Sequence, residues 1–159
     1  MKNIIFILFT VTFYTHAIAQ SEPKLAKNIT LTYKGFKIDS IAVTDTLQNP
    51  INPNISIDAS SPILIWCFIK SGFKVVKKKV YPGASRAVTI DKKYIKDYDI
   101  AGNFFKDGIK PNASKQLSIM VKLKDIIKNK SAITVAFSIW DLNSEAELKG
   151  TYTYTVKSL

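Results

Sequence analysis

Cysteine, histidine, arginine and glycine are scarce in this chain, and each scarcity closes off a class of chemistry. One cysteine in 159 residues, Cys67, excludes an internal disulfide framework and any zinc cluster built on thiolates. The one histidine, His16, lies in an N-terminal stretch with the character of a cleaved leader, so the exported chain is expected to hold none. Without imidazole, a Ser-His-Asp triad, a Cys-His dyad and His-ligated zinc or iron are closed within one chain. Six glycines and six prolines are too few for a collagen-like or low-complexity chain. No Gly-rich phosphate loop occurs. What is present is apolar: 47% of the residues, enough to bury a core, which excludes wholesale disorder. A length of 159 residues suits one domain.

The leader has three parts. Lys2 supplies a short positive end, Ile4 to Phe9 open an apolar run continued by Val11, Phe13 and Tyr14, and Ala17-Ile18-Ala19 places small residues at −3 and −1. Cleavage is expected after Ala19, leaving Gln20 at the N-terminus. The apolar run is about a dozen residues, short of the roughly 20 that cross a bilayer. No cysteine flanks the cut, which excludes a lipoprotein anchor. The expected organisation is a signal peptide over 1–19, a flexible N-terminal segment over 20–27 and one domain over 28–159. The expected location is secreted or periplasmic, with no transmembrane segment after cleavage.

From Asn28 onward the hydrophobic period is two, the period of a half-buried strand. Leu117, Ile119, Val121 and Leu123 alternate with Ser118, Met120, Lys122 and Lys124, Ile133, Val135, Phe137 and Ile139 with Thr134, Ala136 and Ser138, and Tyr152, Tyr154 and Val156 with threonines and Lys157. Ala132 to Lys157 forms a C-terminal hairpin, with turn chemistry at Asp141 to Ser144 and Gly150 at re-entry to the strand. Ile29, Leu31 and Tyr33 alternate, but Ile38 and Ile41 differ in parity, which requires a bulge or turn near Asp39-Ser40. Ile63 to Ile69 is apolar at both parities, as in a central strand covered on both sides. Gln48 to Pro62, with three prolines, is a loop with a short edge segment at Ile55–Ile57. A short strand is expected from Ala87 to Ile90, and Asp91 to Tyr98 is the best candidate for one or two helical turns. The total is roughly seven to nine short antiparallel strands, the count of an immunoglobulin-like β-sandwich; a small closed β-barrel would serve the same pattern.

Five features carry candidate chemistry. Ser71-Gly72-Phe73-Lys74 has S-x-x-K spacing, but that dyad needs a helix start and companion motifs that are missing here. Asp97-Tyr98-Asp99-Ile100-Ala101-Gly102 begins like a calcium loop, yet Ala101 and Gly108 stand where ligands are required, which leaves at most a looser loop site using Asp97, Asp99 and Asp107. Glu145 and Glu147 are a carboxylate pair by residue type alone, in a hairpin where surface placement is expected. Cys67, on a doubly apolar strand, is expected to be a buried, unreactive thiol. Asn28, Asn54, Asn112 and Asn129 begin N-x-S/T sequons. None of these amounts to a catalytic signature, and no catalytic, cofactor-binding or metal-binding residue and no cofactor is assigned.

Charge is the remaining signal. The chain has 23 basic and 12 acidic residues, net +11, and about +10 once Lys2 is removed. All the basic residues but Arg86 are lysines, which favours diffuse attraction over planar bidentate recognition. Lys77-Lys78-Lys79 and Lys92-Lys93 with Lys96 could form a patch for an anionic lipid or glycan surface. Three consecutive strand residues cannot share a face, so Lys77 to Lys79 fit better on a twisted edge strand guarded against aggregation. Nucleic acid is not expected as a partner of an exported chain. The expected function is a non-catalytic binding or accessory module of the cell envelope, engaging an unknown protein or an anionic glycan or lipid surface through Gln48–Pro62 or Lys92–Asn112. The latter segment holds Tyr94, Tyr98, Phe104 and Phe105. The alternative is a structural subunit joined by strand edges; a small hydrolase using Asp, Glu and Lys stands third.

Overall fold

The computed structural model describes residues 22–52, 56–58, 60–102, 105–123 and 130–157, without the side chains of 96–101. The stretch expected to be a leader, over 1–19, lies outside the described residues, as do Asn54, Ile55, Phe104 and Asn129. The strands are β1 (Lys24–Leu25), β2 (Ile29–Lys34), β3 (Lys37–Thr44), β4 (Ile57–Asp58), β5 (Ile63–Ser71), β6 (Pro82–Ile90), β7 (Lys93–Gly102), β8 (Gln116–Val121), β9 (Ser131–Asp141) and β10 (Glu147–Lys157). One sheet runs β1-β3-β5-β8 and the other β2-β10-β9-β6-β7, with β4 against the end of β10. The chain is therefore all-β with two sheets and not a closed barrel: among the described residues no strand pair joins the sheets. Among the described residues the only helical turn is a 3-10 turn at Ala113–Lys115.

Side-chain alternation fixes how the sheets meet. Ile133, Val135, Phe137 and Ile139 of β9 and Leu148, Tyr152, Tyr154 and Val156 of β10 are buried in one cluster with Ile41 and Val43 of β3, Ile63, Ile65, Cys67 and Ile69 of β5, and Ile119 and Val121 of β8. Residues from both sheets thus share one core, and burying each large apolar side chain contributes roughly 1.5–3 kcal/mol. Gly150 belongs to this packing. It lies inside β10, opposite Phe137, where an added Cβ would stand 2.4 Å from the ring's Cζ. The expectation that it marks entry to the strand is corrected: the strand starts at Glu147, and the glycine makes room for an aromatic ring.

Several expectations change in the structure. Ile38 and Ser40 flank a register shift against β5, the irregularity that the parity of β3 demands. In β5 only one face is fully buried; Leu64, Trp66 and Phe68 are half-buried on the other, and Trp66 donates its Nε1–H to Thr44 Oγ1 at 3.0 Å. Ile57 pairs with Val156 in parallel, and Lys24 and Leu25 pair in parallel with Ser40 and Ile41, so not every contact is antiparallel. Each parallel pairing spans only two residues, those of β1 from the N-terminal segment and those of β4 from the connection between β3 and β5.

The lysine-rich stretches are turns. Lys77 and Lys78 have φ of 49° and 66° between the bridged residues Val76 and Lys79. Positive φ at both central residues is the requirement of a type I′ hairpin turn. Lys77–Lys79 is therefore a two-residue loop and its closing residue, not an edge strand. Asp91 and Lys92, with φ of 48° and 67°, turn β6 into β7 in the same way. Asp91 is held there by its Oδ1, which accepts the Ala132 N–H at 2.8 Å. The helix expected from Asp91 is thus a turn followed by a ten-residue strand, so the first half of Lys92–Asn112 is sheet, not loop.

Candidate functional site

The sequence candidates separate in space. Ser71 ends β5, and the Lys74 backbone N–H donates to Asp141 Oδ2 at 2.8 Å. Asp141 is buried and also accepts from Asn143 N–H and Ser144 Oγ–H, so it clasps the β9–β10 turn to the segment after β5. Glu145 pairs with Lys34, which holds its carboxyl below the usual range, and Glu147 pairs with Lys149 at 2.7 Å. Asp97 and Asp99 belong to β7, with side chains outside the described residues; Asp107 is exposed in a separate turn. Among the described residues no three potential ligands converge on a metal position. Cys67 faces the core, and desolvation pushes its thiol up to about 12. Asn28 occupies an exposed turn at φ 61° and donates to the Thr153 carbonyl; Asn112 precedes the 3-10 turn.

The site that the structure does form is an apolar cleft of about 590 Å³ between the sheets, within the usual range for ligand pockets. Leu117 and Ile119 of β8 form one wall, and Ala84, Arg86 and Ile139 the other. Five consecutive residues of β8, Gln116 to Met120, line it. Alternate side chains of a strand point to opposite faces, so the cleft runs along the edge of β8 and not merely over one face. β5 occupies the opposite edge of that strand, and among the described residues no strand pairs with this one.

Phe105, Ile109 and Ala113 close one end of the cleft. Their loop is tied down: Val80 and Ile109 exchange two backbone hydrogen bonds of 2.9 Å, Gly108 N–H donates to Phe105 O at 2.8 Å, and Ser114 Oγ–H donates to Pro111 O at 2.8 Å. This end of the cleft is thus braced by hydrogen bonds.

Arg86 gives the cleft its charge. In β6, Ala84, Arg86 and Val88 stand opposite Ile139, Phe137 and Val135, and directly opposed residues of an antiparallel pair share a face. The chain's one arginine is therefore on the inner side of its sheet, half-buried. Its charge reaches Tyr154, whose hydroxyl is nevertheless pushed up by burial. Lys122 lies at the cleft's other margin. Sequence reasoning did not bring these residues together. The available signal was an arginine at the parity of Val88 and Ile90.

Compared with known proteins, the chain matches no family model and no curated protein. Among the described residues no helix is long and apolar enough to cross a membrane.

Proposed function

We propose that this protein is an exported, immunoglobulin-like β-sandwich acting as a non-catalytic binding module, and that its ligand occupies the cleft beside β8. The observation that carries the reading is the cleft itself: apolar walls, a braced end and an inward-facing arginine. Such sites orient a ligand with few polar groups on a largely hydrophobic surface. The non-catalytic reading is supported by how the carboxylates are engaged: Asp141 in a structural clasp, Glu145 and Glu147 in exposed ion pairs. Export is supported by Lys2, the apolar run after it and Ala17-Ile18-Ala19. Lys77, Lys78 and Lys92, at turn tips, suit solubility and the approach of acidic partners.

A fluorescent amphipathic carboxylate, dansylated undecanoate, tests the site. Saturable binding to the purified protein is expected, weakened at least about tenfold in Ala113→Trp. Ala113 is exposed at the rim, so an unchanged melting temperature is expected for that variant. Absent binding, or binding indifferent to Ala113→Trp, overturns the assignment of the cleft. Mass spectrometry of the exported chain is expected to find Gln20 at its N-terminus; retention of Met1 overturns the leader.

A further inference from the structure

Building on that reading, we infer that the cleft receives an extended acidic segment of a partner protein, which adds a strand to the edge of β8. Three observations lead there. First, β8 borders the cleft with its edge. Successive residues of an antiparallel strand present their N–H and C=O groups alternately to the two sides, so about half of those groups point away from β5 into the cleft. A purely hydrocarbon ligand would strip water from these groups and offer them no hydrogen bonds. A strand covers them and bonds to them, which is how sheet-edge recognition gains affinity. Second, the walls suit alternating side chains. Leu117, Ala84, Ile109 and Phe105, none of them fully buried, offer apolar surface to alternate residues of an incoming strand. The six residues of β8 span about 20 Å at ~3.3 Å per residue, enough for an incoming strand of similar length. Third, the charges match an acidic segment. Arg86 and Lys122 line the cleft, and the exposed Lys106, Lys110 and Lys115 sit on the loop that closes it, against the single exposed carboxylate of Asp107 there. Complementary charge raises the association rate and selects partners.

The probe is a capped nine-residue peptide alternating valine with aspartate, used with the purified protein. It is expected to displace dansylated undecanoate and to slow hydrogen exchange at β8 amides. Two further peptides carry N-methyl groups, one on the valine amides and one on the aspartate amides. In a strand only one of these sets faces β8, so one methylated peptide is expected to lose at least about tenfold in affinity while the other binds like the parent. If both methylated peptides bind like the parent, or both lose equally, strand addition is overturned. If the dye binds and the peptide fails to displace it, strand addition is again overturned, while the cleft keeps its role as a binding site. If the dye itself does not bind, the underlying reading falls. Concentration-dependent self-association with β8 amides protected and no peptide added would replace the partner with a second copy of the chain.

Discussion

The two flanks of this two-sheet domain are built to opposite rules. On the β9–β10 flank every core-facing position is filled: Leu148, Tyr152 and Val156 are each at most 1% exposed, Phe137 is packed against Gly150, and Asp141 clasps the connecting turn. On the β8 flank Leu117 is only half-buried, Met120 is 50% exposed, and the strand's outer edge borders a cleft. Interiors are close-packed, and an unfilled stretch forfeits dispersion and burial along its walls. Stability concentrated in one flank can maintain the fold while the other keeps surface available to a ligand.

The contrast breaks most visibly at Phe137. Phe137→Ala is expected to cost about 3–5 kcal/mol in chemical denaturation, the range for emptying a packed aromatic site. Leu117→Ala, on the opposite flank, is expected to cost about 1 kcal/mol, because part of its surface is already in water. Equal costs would show that the two flanks do not differ. Next comes Asp141→Ala, expected to cost about 2–3 kcal/mol through donors left without their charged acceptor; an unchanged denaturation midpoint would remove the clasp from the account.

A glycine pair sharpens the same contrast. Gly150→Ala drives a Cβ into the Phe137 ring and is expected to cost about 1–3 kcal/mol. Gly102→Ala, at the end of β7, meets nothing within 4 Å and is expected to change stability by a few tenths of a kcal/mol, roughly neutral. Similar melting temperatures for the two variants would contradict the packing described for β10.

The smallest effect is a gain. The Tyr152 hydroxyl is buried with no hydrogen-bond partner among the described residues. Tyr152→Phe removes that hydroxyl and is expected to stabilise the protein by up to about 1 kcal/mol. Burial pushes this phenol up to about 12 from an ordinary 10. A raised phenol favours the fold fully below pH 10, and that contribution is lost as pH rises from 10 through 12. Stability should therefore fall over that window, and less steeply in Tyr152→Phe; parallel alkaline limbs would assign the fall to other groups.

Legibility in the sequence followed the same division. The closed flank is written in period two, so β9 and β10 and their buried parity follow from Ile133–Ile139 and Tyr152–Val156. The open flank is harder to read because its signals are mixed. β7 carries lysines, aspartates and tyrosines with no clean alternation, and Asp91-Lys92 lacks the Asn-Gly chemistry that usually announces a type I′ turn. Positive φ at Lys77, Lys78, Asp91 and Lys92 is set by strand pairing and, for Asp91, by its bonds to Ala132. Cys67 was legible, since burial of a thiol in an apolar run needs no distant partner. The cleft was not, because it depends on which strand ends a sheet, a property of topology and not of any local pattern.

The Asp141 clasp also orders events in time. It joins Lys74 to a turn 67 residues further along the chain, so it cannot close until both of its halves exist. The β9–β10 hairpin is local and can form first, whereas locking the segment after β5 must wait for the sheets to meet. Folding limited by such non-local closure belongs to the slow, millisecond-to-second regime of all-β domains. For a chain synthesised N-terminus first, β5 can pair with β3 at once, but the segment after it lacks its Asp141 acceptor until the last strands arrive.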